Sequence, residues 1–210
     1  MHPAVELRGD YDLTDIPAIV RGAVKLGLLE AVVVLVISLV SRLLPNGGLQ
    51  TILLALILLV ALAAVTLLPG LWTRPRTIEG IAGAAGIGLG AAIVFLLVDV
   101  TLLQNIGTYG HRWMEVGGGS NWWYHPVWWM IGTFLPWFGA WTLANQTVKS
   151  GSASPVAAFG LALVLTVVCA VAAVLIHFPG AGWTLATFGV AFLPGLALAT
   201  LASGMGAKRA

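Results

Sequence analysis

The sequence predicts an all-α polytopic integral membrane protein, a six-helix transmembrane bundle with both termini in the cytoplasm. Three observations carry that expectation. Of the 210 residues, 59% are hydrophobic and only 9% charged, with a mean hydropathy of +0.98. Soluble domains are about 45–50% apolar and about 25% charged, so this chain has too few charges to cover a water-facing surface. The apolar residues also fall into six runs, each near the roughly 20 residues that cross a hydrocarbon core about 30 Å thick. Finally, when those runs are threaded back and forth, eight of the ten Lys and Arg residues fall on one side, the bias expected of cytoplasmic loops. The same composition excludes a disordered chain, a disulfide scaffold and a nucleic-acid binder. Those need low hydrophobicity, many cysteines and clustered basic residues respectively.

The first run, 23–44, stops at the turn Pro45-Asn46-Gly47-Gly48. The second, 49–71, closes on Pro69-Gly70-Leu71, and the third, 78–103, follows the polar stretch Thr73-Arg74-Pro75-Arg76. A long external connection, 104–125, leads to the fourth run, 126–144, which is rich in tryptophan and interrupted by Pro136. The fifth, 155–176, and sixth, 183–201, are separated by the tight turn Phe178-Pro179-Gly180.

Residues 1–22 form a cytoplasmic tail and 204–210 a short second one. The first 20 residues carry Glu6, Arg8, Asp10, Asp12 and Asp15 with no apolar run, unlike a signal peptide, so the first helix is expected to be retained. Ile16 to Lys25 is suited to lie along the membrane surface before the chain turns in. Arg8, Arg21, Lys25, Arg74, Arg76, Lys149, Lys208 and Arg209 fall inside, and only Arg42 and Arg112 outside. This places the protein in the plasma (inner) membrane, with loop 104–125 periplasmic or extracellular.

Helices in lipid associate by close approach rather than by a hydrophobic drive, so small residues mark their contacts. In the third run Gly80, Ala84, Gly88 and Ala92 recur every four residues, and Gly86 and Gly90 form a second small ridge with Gly83. This helix is expected to be central. The second run, with Ile52-Leu53-Leu54 and Leu58-Leu59-Val60, is bulky and should face lipid. Pro136 and Pro194-Gly195 predict kinks; broken helices line sites in transporters, although membrane helices tolerate proline widely. The single cysteine, Cys169, has no intramolecular disulfide partner and reads as core packing.

Ionisable residues within a bilayer are functional candidates by default. Asp99 lies near the outer end of the third run and is the candidate for binding a proton or cation, or for pairing with Arg112 or an external histidine. Glu30 is expected to snorkel to the cytoplasmic interface or pair with Lys25. Glu79 opens the third helix, where a carboxylate complements the helix dipole.

The external face gathers six of the nine tryptophans, and the pairs Trp122-Trp123 and Trp128-Trp129 flank Tyr124-His125-Pro126-Val127. These residues suit an aromatic belt, a partner protein or a platform for a small ring-bearing ligand. His111, Glu115, His125 and His177 share that side and offer imidazole and carboxylate ligands for a metal, or one axial ligand for haem. Their spacing matches no ligand motif, so no cofactor is specifically indicated. HExxH, CxxC and GxSxG signatures are absent from the sequence.

Three functions fit these observations. The favoured one is a non-catalytic subunit that packs in a larger respiratory, photosynthetic or transport assembly. It would meet a protein partner or a second copy through the third helix or the aromatic face, in a lipid bilayer and without nucleic acid. The second is a small transporter or channel built on Asp99 and the glycine-rich third helix. The third is a membrane enzyme or redox protein with an external histidine site.

Overall fold

In the computed structural model, residues 14–109 and 124–206 are described. The protein is all-helical, with 82% helix and no strand among the described residues. Its α-helices are α1 (Ile16–Leu43), α2 (Gly48–Thr73), α3 (Ile78–Val98), α4 (Tyr124–Ser150), α5 (Pro155–Leu175) and α6 (Leu185–Gly204). A π-turn, Asp99–Leu103, continues α3. Among the described residues, five helices are long and apolar enough to cross a membrane: α1, α2, α3 with its π-turn, α5 and α6.

Several boundaries differ from those expected, each for a local reason. Helix α1 starts at Ile16, so Ile16 to Lys25 is its opening stretch, continuous with the apolar run. Pro17 near its start suits a helix beginning, because the first amides have no intrahelical acceptor anyway. Helix α2 runs through Pro69-Gly70 to Thr73, whose Oγ1 donates to the Pro69 carbonyl at 3.1 Å. Arg74 then ends it in the left-handed region (φ 49°), its amide donating to the Gly70 carbonyl at 2.9 Å. Helix α4 continues past Ala144 to Ser150. Ser154 and Thr184 cap α5 and α6, each hydroxyl accepting a main-chain amide at 3.3 Å.

Helices α3 and α4 form the centre. Helix α3 packs on α1, α2 and α4; α4 packs on α2, α3 and α6; and α5 joins chiefly through α6. Half of the apolar window of α3 is buried, against 6% for α2. The few fully buried residues of α2 are Gln50, Thr66, Pro69, Gly70 and Thr73; Leu49, Ile52, Leu56 and Val60 are exposed, whereas Leu62 packs inward on the core.

The crossings are set by backbone approach. A Cβ at Gly88 would collide with the Gly132 carbonyl and the Pro136 ring, joining α3 to α4. A Cβ at Gly139 would strike the Thr66 carbonyl of α2. At Gly27 it would fall 2.6 Å from the Ala91 carbonyl of α3, and at Gly195 2.6 Å from the Thr166 main chain of α5. On the α3 ridge, Gly80, Ala84, Gly88 and Ala92 are buried, while Gly90 lies against Ala23 and Gly86 nearest Ile19 of α1.

Polar side chains fasten α4 to α6. Thr142 and Thr200 share a hydroxyl hydrogen bond at 3.0 Å, and Asn145 Nδ2 donates to Ser203 Oγ at 2.9 Å. Interhelical hydrogen bonds in membrane proteins average about 0.6 kcal/mol, so Thr142→Val with Thr200→Val is expected to lower stability by only about 1 kcal/mol. A melting curve in detergent checks this, and a loss several times larger would mean the pair organises the helix ends.

Candidate functional site

Helix α1 buries a narrow stripe: Gly22, Ala23, Leu26, Gly27, Glu30, Ala31 and Val34. The three- and four-residue spacing places them on one face, which packs against α3. Glu30 belongs to this stripe, midway along the 28 residues of α1. It is only 6% exposed, and its Oε2 has no hydrogen-bond partner among the described residues. Lys25 is exposed, and five residues around a helix put it on a different face from Glu30. The expected interfacial or Lys25-paired carboxylate is therefore an interior one. The earlier start of α1 is part of the reason, because it moves Glu30 from near the helix beginning to its middle.

Glu30 lines a cavity of about 270 Å³ bounded by α1, α2 and α4, with Gly189 of α6 at one edge. Val34, Leu62, Val65, Ile131 and Leu135 form much of its wall, and among the described residues Glu30 is the sole ionisable one lining it. Two walls contain a helix interruption: Pro69 and Pro136 lack the amide that would bond the carbonyl four residues earlier, at Val65 and Gly132. Thr66 and Thr108 also have hydroxyls without partners among the described residues. A carboxyl group left so is far more costly than a hydroxyl. Larger grooves of about 430 and 340 Å³ run beside α5 and α6, but no charged side chain among the described residues lines them.

Asp99 has a different setting. It is fully buried in the π-turn, where Gln104 Nε2 donates to its Oδ2 at 2.6 Å and the Tyr109 hydroxyl donates to its Oδ1. Its sequence neighbours Phe95, Leu96 and Leu103 belong to an apolar cluster with Ala31 and Val34, against which Tyr109 packs. Beside it Ser38 and Arg42 of α1 donate to the Thr108 and Gly107 carbonyls. Asp99 thus helps fasten the chain after α3 back onto the bundle. Asp99→Ala is expected to cost about 1–3 kcal/mol, because the Tyr109 and Gln104 donors lose their acceptor. Thermal denaturation checks this, and an unchanged midpoint would remove the structural role.

Of the other candidates, Trp122, Trp123, His111 and Glu115 lie outside the described residues. Tyr124, His125 and Trp128 stand in the first turns of α4, with side chains outside the described set. Trp129 is 39% exposed, and His177 is exposed in the turn after α5 with φ 55°. Among the described residues no group of three or more His, Cys, Asp or Glu is placed to hold a metal.

The sequence reading missed the Glu30 cavity. The available signal was helical register: Glu30 follows Gly27 by three residues and Leu26 by four, on the small-residue face of α1. The chain matches no family model, and it matches no curated protein or solved structure.

Proposed function

We propose that this protein is a small membrane carrier that binds a cationic, largely apolar molecule, with Glu30 as its binding group. The observation that carries this reading is the partnerless Glu30 Oε2 on an otherwise apolar cavity. A primary or secondary amine with a hydrocarbon body complements both features: the ammonium supplies the missing donors and charge, and the body fills the apolar space. Asp99 is a poorer choice because both of its oxygens already accept protein donors. A purely structural subunit gives no reason to keep a carboxyl where a leucine would pack without the cost of desolvation.

In this reading the chain crosses the membrane six times, α4 being the remaining span. The end carrying Arg21, Lys25, Arg74, Arg76 and Lys149 faces the cytoplasm and the end carrying Arg42 faces outward, as the positive-inside bias favours. Exchange of labelled phenylbutylamine into proteoliposomes tests the function. Wild-type protein is expected to accelerate exchange over protein-free vesicles, and Glu30→Gln to reduce it at least tenfold, about 1.4 kcal/mol in the barrier. Equal exchange by both proteins would reject Glu30 as the binding group.

A further inference from the structure

The Glu30 cavity adjoins a second void. Leu58 of α2 lines both that cavity and the groove of about 430 Å³ between α2, α5 and the start of α6. On α6 consecutive residues border the two, Phe188 the groove and Gly189 the cavity. A Cβ at Gly189 would meet nothing within 4 Å, so nothing crowds α6 at this junction. Both helices place the groove toward the same end, since Ala55 precedes Leu58 on α2 and Trp183 and Leu185 precede Gly189. Glu30 sits at the other end. It is thirteen residues from the end of α1 at Leu43, whereas Ala55 is seven from the start of α2 at Gly48, so the carboxyl lies about 9 Å deeper along the bundle.

We propose, resting on Glu30 as the binding group of a carrier, that cavity and groove form one elongated site for a single-chain alkylamine amphiphile. The ammonium sits at Glu30, and the hydrocarbon chain passes Leu58 into the groove between α2 and α5. Charge is confined to one end: Oε2 of Glu30 has no partner, and no charged side chain among the described residues lines the groove. The groove itself suits hydrocarbon. Its walls include Ala55, Ala170 and Val171, and its hydroxyls, Thr184 and Thr187, bond each other and the amides of Thr187 and Gly182. A compact amine would leave this void unfilled, whereas a dodecyl chain exceeds the distance from Glu30 to Ala55 and continues toward Trp183. The Trp183 side chain is exposed at the far end, and indole rings favour the membrane interface. A phospholipid fits less well, because its phosphate would bring a second negative charge to the carboxyl.

The test is photolabelling of the full chain in phosphatidylcholine nanodiscs, with peptide mapping by mass spectrometry. The probes are dodecylamine and dodecanol, each carrying a diazirine at its last methylene. In wild-type protein the amine is expected to label the groove segments of α5 and α6 about tenfold more than the alcohol, and Glu30→Gln to abolish that difference. Ala55→Phe, which fills the groove outside the Glu30 cavity, is expected to lower groove labelling severalfold while phenylbutylamine still binds by calorimetry. Equal groove labelling by amine and alcohol is ordinary lipid contact and overturns the proposal, as does amine labelling concentrated outside the groove. If phenylbutylamine binding still depends on Glu30 in that case, the elongated site falls and the carrier reading stands; if it does not, both fall.

Discussion

Valine at Gly88 is expected to prevent the bundle from assembling. The carbonyl of Gly132 and the ring of Pro136 occupy the place a Cβ would take. Neither is the free end of a flexible side chain, so relief requires α3 and α4 to separate. These two helices organise the rest: α1 packs on α3, α6 packs on α4, and α2 packs on both. Overpacking a close-packed interior typically costs about 1–3 kcal/mol, and a main-chain collision at a central crossing belongs at or above the upper end. Gly88→Val should therefore give aggregated or polydisperse protein by size-exclusion chromatography in detergent. Gly160→Val is the matched control, because a Cβ at Gly160 meets nothing within 4 Å. Equal monodispersity and equal melting of the two variants would mean that the α3–α4 contact does not hold the bundle together.

Leucine at Glu30 is expected to have the opposite effect on stability. A buried carboxyl oxygen without a partner costs free energy, and the surrounding wall of Val34, Leu62, Val65 and Leu135 is apolar. Replacing it with a side chain of similar length removes the polar group and fills part of the space. The gain is about 1–3 kcal/mol, which corresponds to a rise of about 5 °C in melting temperature for a chain of this size. Loss of ligand binding with a gain in stability is the mark of a group kept for function. If Glu30 instead anchored the fold through an ion pair, Glu30→Leu would melt earlier than wild type. A differential scanning measurement on the detergent-purified variant separates these outcomes.

Much of the architecture was legible because the bilayer imposes it. Long apolar runs, Gly/Pro breaks and the small-residue ridge of α3 follow from hydrogen-bond satisfaction and close helix approach, and both are local in sequence. The ends of helices were less legible. Pro69-Gly70 reads as a stop, yet the packing of Gly70 against Ala140 and Leu143 keeps α2 helical through Thr73. The start of α1 at Ile16 was hidden by its mixed composition.

The candidate site was the least legible part. Asp99 and Glu30 look alike as single acidic residues in apolar helices. What separates them is non-local: Asp99 meets Tyr109 ten residues on, through a π-turn that the sequence does not announce. Glu30 meets a cavity built from α2 and α4. Register alone could have moved Glu30 off the interface, since it shares a face with Gly27 and Ala31. The absence of a partner could be learned only from how the helices pack.

In the proposed function, Glu30 binds a cationic, apolar ligand inside the bundle. Titration calorimetry in nanodiscs, with phenylbutylamine and its neutral analogue phenylbutanol against wild type and Glu30→Gln, tests it most directly. Wild-type protein should prefer the amine by more than about tenfold, about 1.4 kcal/mol, and Glu30→Gln should lose that preference while still binding the alcohol. Equal affinities of wild type for amine and alcohol, or an amine preference that survives in Glu30→Gln, would contradict it.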